Sequence, residues 1–163
     1  YVQTYTAVQN VKRSFDMYRE AAEKHGYTAS PEQLGWAVPI YVAETDEKAF
    51  EEAAHHIEFL ITKLLNMPPE ILLPPGYTSL ESMRKVHAGT SNRGSLTARD
   101  IIEKGMAIVG SPQTVTDRLK EYHKELQFGH LVGIMQITDL PHHLTMKNLE
   151  LFAREVMPHL REL

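Results

Sequence analysis

The sequence predicts an α/β fold of about three parallel strands with flanking helices, and an incomplete one. Helical and strand signals alternate along the 163 residues: one helix, then three strand–helix units. Each strand signal is a short apolar run, and each following segment carries an apolar stripe at helical spacing. Such connections are right-handed crossovers between parallel strands. Three parallel strands cannot close on themselves, and they leave sheet edges and one face uncovered. The length is nonetheless sufficient for one domain with a genuine core.

The first helix is expected over residues 8–25, where Val8, Val11, Phe15, Tyr18, Ala21 and Ala22 share a face and Gly26 supplies a stop. Residues 34–43 form the first strand, a continuous apolar run. Pro39 within it cannot donate a ladder hydrogen bond, so an edge position or a bulge is expected. Thr45 is a good N-cap, with Asp46 and Glu47 placing negative charge in the first turn. The helix that follows buries Ala49, Phe50, Ala53, Ile57, Leu60, Ile61 and Leu64 and stops near Asn66. Residues 67–105 read as an irregular insertion or lid. Within it, short helices are expected at 79–88 and 98–104, and the polar stretch 89–95 lacks an apolar anchor.

Residues 106–109 form the second strand. Gly110 then turns into a helix with Ser111 as N-cap and Pro112 at its first position, a favourable pairing because proline lacks an N–H that would be unpaired there. Val115, Leu119, Tyr122 and Leu126 line the buried face, and Gly129 is expected to end the helix. The third strand spans 130–137. The closing helix spans 145–161 and is expected to bury Leu149, Phe152, Val156 and Leu160.

Composition removes several functional classes. The 17 basic and 21 acidic residues give a net charge of −4 without long like-charged runs, so no nucleic-acid partner is expected. Cysteine is absent, which excludes disulfides, thiolate catalysis and cysteine-ligated metals. No apolar run approaches a membrane span, and the expected location is cytoplasmic. The chain opens at Tyr1 and enters a helical pattern almost at once, as an internal position in a longer protein would.

Nine histidines raise the question of a metal. Glu52 and His55 have the spacing of a di-iron ligand pair, but no second pair accompanies them. Adjacent His55 and His56 point about 100° apart on a helix, so surface positions are expected and no metal site is assigned. His142 and His143 fit a loop or capping role, and His130 opens a strand. Trp36 is expected in the core rather than against a cofactor. Ser111 has no predictable base beside it and reads as a cap. Glu44 and Asp139 are taken as ordinary loop carboxylates, and Met17, Met83, Met106, Met135 and Met157 as core filler.

Three segments carry a family resemblance. Val42-Ala43-Glu44-Thr45-Asp46-Glu47-Lys48-Ala49, Ile108-Val109-Gly110-Ser111-Pro112-Gln113-Thr114-Val115 and Leu149-Glu150-Leu151-Phe152-Ala153-Arg154-Glu155-Val156-Met157-Pro158 occur in that order. Together they resemble the carboxy-terminal portion of the luciferase-like (bacterial luciferase family) flavin-dependent monooxygenases. Gln113 stands where the family commonly has glutamate, and the closing segment is the strongest match. The resemblance implies the last part of a TIM (β/α)8 barrel, whose intact form needs about 250 residues. Residues 1–163 would then be one portion of a barrel domain.

The resemblance also implies a function: oxygenation of a small organic substrate with reduced FMN and O2, or use of the deazaflavin F420. Functional groups of such barrels sit at strand carboxy ends, here Glu44 and Thr45, Gly110 and Ser111, and Gln136 to Asp139. Gly110, Ser111 and Gln136 are therefore the expected cofactor-binding residues, with His87, Asn92 and Arg93 in a lid that excludes water. Most flavin contacts in the family come from the amino-terminal strands. No flavin is therefore expected to bind this chain alone, and the isolated chain is expected to be inactive. The expected partners are the missing amino-terminal half of the barrel and further copies or subunits in a homo- or hetero-oligomer. The alternative is a non-catalytic, barrel-derived subunit or assembly partner.

Overall fold

The computed structural model describes residues 1–67, 71, 76, 79–82, 84 and 93–161. Among these residues four parallel strands are present: β1 (Val2–Thr4), β2 (Gly35–Val42), β3 (Ile108–Gly110) and β4 (His130–Ile134). The α-helices described in full are α1 (Val8–Lys24), α2 (Asp46–Phe59), α3 (Ala98–Glu103), α4 (Pro112–Leu126) and α5 (His142–Leu151). β1 was not expected from sequence: three residues, two of them exposed, carry no readable alternation.

Every other strand pairs with β2. The backbone of a parallel strand faces its two edges alternately, which separates the neighbours. Gly35 donates to Tyr1 O (2.9 Å) and Ala43 to Gly110 O (3.2 Å), so β1 and β3 share the edge of the odd-numbered residues. The carbonyl of Leu34 accepts from His130 N (3.3 Å), placing β4 on the other edge. β1 runs beside Gly35–Ala37 and β3 beside Ile40–Val42. Pro39 falls in the step between them, where β1 has turned away at Tyr5 (φ 50°). The expectation of an edge strand or bulge is thus corrected. β2 is buried throughout, and its proline sits where one neighbour hands over to the next.

β1, β2 and β4 are therefore successive neighbours, linked by α1 and by α4. Trp36, Val38, Ile40 and Val42 on one face of β2 join a core with Val11 and Phe15 of α1, Val115 and Leu119 of α4, and Leu151 of α5. Tyr41 and Ala43 point the other way, into a second core with Ala49, Ala53 and Ile57 of α2, Ile101 of α3, and Ile137 and Leu140. In a (β/α)8 barrel the connecting helices form the outer ring. α2 and α3 accordingly belong to an excursion that leaves after β2, covers the opposite face at the strand carboxy ends, and returns through β3. That excursion begins at Glu44, well before the irregular segment read from sequence.

Two helix ends differ from expectation. α4 stops with Gln127 in the left-handed region (φ 51°), two residues before Gly129. Gly129 answers a close approach instead: a Cβ there would lie 2.7 Å from the Glu32 backbone nitrogen. The closing helix changes to a π-helical turn at Phe152–Val156. Wider turns shift the buried face, so α5 buries Thr145, Asn148 and Leu151 while Leu149 is 40% exposed. The expectation that Leu149 is core is corrected on that ground. Thr45 and Ser111 do cap their helices, accepting from Lys48 N and Thr114 N.

The sheet stays open. β4 has exposed residues, Val132 among them (49%), and Val2 of β1 is 58% exposed. Of the short helix expected at 79–88, residues 83 and 85–88 lie outside the described residues.

Candidate functional site

Parallel pairing brings all strand carboxy ends to one end of the sheet. There the polar groups fall into four connected sets.

The first joins the start of α2 to the turn after β3. Ser111 N donates to Asp46 Oδ1 (2.6 Å), and Thr114 Oγ1 donates to Asp46 Oδ2 (2.9 Å). The Ser111 N–H foremost, then the Thr114 hydroxyl, holds the Asp46 carboxyl below its ordinary range. A Cβ on Gly110 would stand 2.8 Å from Asp46 Oδ1 and 2.8 Å from Thr114 Cγ2, so only glycine fits.

The second set braces the connection from β4 to α5. Gln136 Nε2 donates to the carbonyls of Thr138 and Leu140 (both 3.1 Å), and its Oε1 accepts from Thr145 Oγ1 (2.7 Å). Beneath it, fully buried Asn148 donates to Ile40 O (2.8 Å) and Met135 O (3.2 Å) and accepts from Val42 N (2.8 Å).

The remaining two sets tie α2 to α5 and to the same connection. Buried Tyr41 donates its hydroxyl to Glu52 (2.8 Å), and Lys147 of α5 donates to Glu52 Oε1 (2.7 Å) and Glu44 (3.5 Å). Burial first, then Glu52, pushes the Tyr41 phenol up. Glu44 is held down to about 2, by its own backbone N–H and then by Lys48. One turn along α2 from Glu52, His56 Nδ1 lies 2.7 Å from Asp139 Oδ1, and this contact is the main cause lowering the Asp139 carboxyl.

Gly110 and Ser111 thus belong to one cluster and Gln136 to another, with no hydrogen bond between them among the described residues. Of the three lid residues, His87 and Asn92 lie outside the described residues. Arg93 is half-buried and donates to Tyr5 O (3.2 Å) at the end of β1, and burial lowers the pKa of its guanidinium. It lines a cavity of about 580 Å³ together with Val8, Asn10, Leu96 and Lys104. Trp36 packs against Tyr122 and Phe128 (ring centroids 5.4 and 5.7 Å) in the core.

Lys147, Asn148 and the His56–Asp139 pair were not singled out as a site from sequence. Their partners on β2, α2 and the residues just after β2 lie 83–108 positions away, and no local spacing announces them. The one available signal was an asparagine inside an otherwise amphipathic helix. No group of three or more histidine, aspartate or glutamate residues suited to a metal occurs among the described residues. No helix among them is long and apolar enough to cross a membrane.

Comparisons with known proteins bear on this arrangement. The oxygenating constituent of 3,6-diketocamphane monooxygenase from Pseudomonas putida, solved with FMN, superposes with a TM-score of 0.64 at 18% identity, covering 96% of this chain and 42% of that one. A monooxygenase from Streptomyces bottropensis gives 0.61 at 16% identity, covering 98% and 41%. The coenzyme F420 dependent tetrahydromethanopterin reductase from Methanopyrus kandleri gives 0.59 at 19%, covering 98% and 45%. These likenesses establish a shared fold, and the chain spans less than half the length of each structure. No curated protein matches the sequence. The family model described as luciferase-like monooxygenase matches residues 1–126. That span includes the segments 42–49 and 108–115 and ends before the closing helix, where the resemblance had looked strongest. On that match the chain belongs to the luciferase-like monooxygenase family, and its parallel strands and outer helices form part of the family's TIM barrel.

Proposed function

We propose that this chain is part of a flavin-dependent monooxygenase that uses reduced FMN, or F420, and O2 on a small organic substrate. The family match over residues 1–126 carries the reading. When bound, a reduced flavin supplies the electrons and activates dioxygen, while protein supplies position and exclusion of water. The chain's own contribution is the wall and cover of the barrel mouth. Its strand-end groups do not fit a flavin phosphate. Ser111 N and both faces of the Gln136 amide are engaged within the chain, and the Asp46 carboxylate fills the space beside Gly110. An anionic phosphate there would meet a carboxylate in place of free donors. The flavin contacts come from the remainder of the barrel, with which this chain assembles, and the assembled enzyme forms homo- or hetero-oligomers.

Anaerobic titration of reduced FMN tests both parts of this reading. The 163-residue chain is expected to show no saturable binding; micromolar binding would show that the flavin site has been misplaced. The complete barrel, expressed with its remaining strands, is expected to bind reduced FMN in that titration and, on admission of air, to oxygenate substrate. A complete barrel that binds no flavin would favour the second reading, a non-catalytic subunit, which the internally satisfied strand ends also suit.

A further inference from the structure

We infer that His56 and Asp139 form a pH-sensitive latch that holds α2 across the carboxy-terminal end of the sheet. The inference rests on the barrel reading only for naming that end as the mouth. α2 lies on the sheet face that α1, α4 and α5 leave free. It is fastened at two positions one helical turn apart, one on α5 and one on the β4–α5 connection. Glu52 is held by Lys147, and His56 by Asp139.

The second fastening carries strain. Thr138, next to Asp139, has φ 48°, a left-handed conformation that is unusual for a β-branched residue. Its hydroxyl, with one proton to donate, lies within reach of Asp139 Oδ1 (3.0 Å) and His56 O (3.4 Å), so the strained residue and the latch share partners. Such strain persists only where surrounding contacts hold it in place. Loss of the His56 contact therefore removes part of what keeps the connection in this form.

The pair is partly screened. The His56 side chain is 15% exposed and that of Asp139 is 70% exposed. Among the described residues, His56 meets Asp139 of the β4–α5 connection and, on α2 itself, His55 (ring centroids 5.5 Å), with Glu52 one turn before it. Lys147 of α5 neutralises Glu52, and Arg99 of α3 lies over the Phe50 ring (4.5 Å). Asp139 is thus the carboxylate left to pair with His56. The pair is an ion pair only while the imidazole carries its proton and Asp139 is ionised, and it weakens when that proton is lost; histidine is the side chain whose charge ordinarily changes between about pH 5 and 8.

Hydrogen exchange of backbone amides in the 163-residue chain tests the latch without any flavin, so its failure leaves the proposed function untouched. After correction for intrinsic rates, protection of amides in residues 52–59 and 138–140 is expected to fall about two- to five-fold from pH 5.5 to 7.5, the range for an exposed ion pair. The midpoint should match the His56 titration followed by NMR. Asp139→Asn should flatten the profile at the low-protection level. His56→Gln should flatten it as well, while its amide can still donate to Asp139. Protection in α1 serves as the internal control for global stability. Protection independent of pH in the native chain, or a pH dependence that survives Asp139→Asn, overturns the inference.

Discussion

Replacing Asn148 should destabilise the fold far more than its single side chain suggests. β4 stops pairing with β2 at Ile134, opposite Pro39, yet β2 continues to Val42. The Asn148 amide takes over along the same edge, receiving the Val42 N–H and donating to the Ile40 carbonyl. Asn148→Ala would leave that donor and that acceptor unpaired in a fully buried site, at about 1–3 kcal/mol each. The expected loss is about 2–6 kcal/mol, which at this chain length lowers Tm by roughly 4–24 °C. Asn148→Asp keeps the acceptor for Val42 but turns a carboxylate oxygen toward the carbonyls of Ile40 and Met135, and should be no milder. Urea unfolding, followed by circular dichroism and by fluorescence of Trp36, the single tryptophan, measures both variants. The denaturant slope should stay constant. A loss below about 1 kcal/mol for the alanine variant, against the roughly 2–6 expected, or native stability for the aspartate variant, would refute the view that this amide substitutes for a strand.

Three further outcomes are expected. Gly110→Ala should cost about 1–3 kcal/mol, because the new methyl meets Asp46 and Thr114 inside van der Waals distance; thermal unfolding checks it. Thr116→Val should raise stability by about 1 kcal/mol, since the Thr116 hydroxyl is the one buried side-chain polar atom without a partner among the described residues. Asp46, with its pKa lowered in the folded state, stabilises the fold above its unfolded pKa of about 3.9, and that contribution is lost as pH falls through the folded value. Urea midpoints at pH 6 and pH 3 should therefore differ less in Asp46→Asn than in the native chain, and an unchanged difference would remove Asp46 from the account.

Local chemistry made much of the fold legible. The apolar run of β2 and the caps at Thr45 and Ser111 are written within a few residues of where they act, and they appear in the structure as read. Neighbour relations were not written that way. Residues 106–109 look like any buried strand, and nothing local says that β3 shares an edge of β2 with β1 while β4 takes the other. The closing helix misled for a different reason. A 3.6-residue period carried through Phe152–Val156, where the turn is wider, puts Leu149 inside at the expense of Asn148. At the strand ends, Gly110, Ser111 and Gln136 were legible as turn and loop residues. Their saturation by Asp46, Thr138, Leu140 and Thr145 depends on side chains that only the folded chain brings near.

The two ends of the excursion between β2 and α4 are clasped together. Ala43 donates to Gly110 O, and Asp46 receives Ser111 N–H, so the chain leaves and re-enters the barrel side by side. A segment held at such a base behaves as a plug-in module. Once its ends are joined, each doubling of its length adds only about 0.6 kcal/mol of closure entropy. The ring of strands can therefore tolerate an excursion that grows, shrinks or changes its surface. A change in that segment leaves in place the core that α1, α4 and α5 build on the other face of β2.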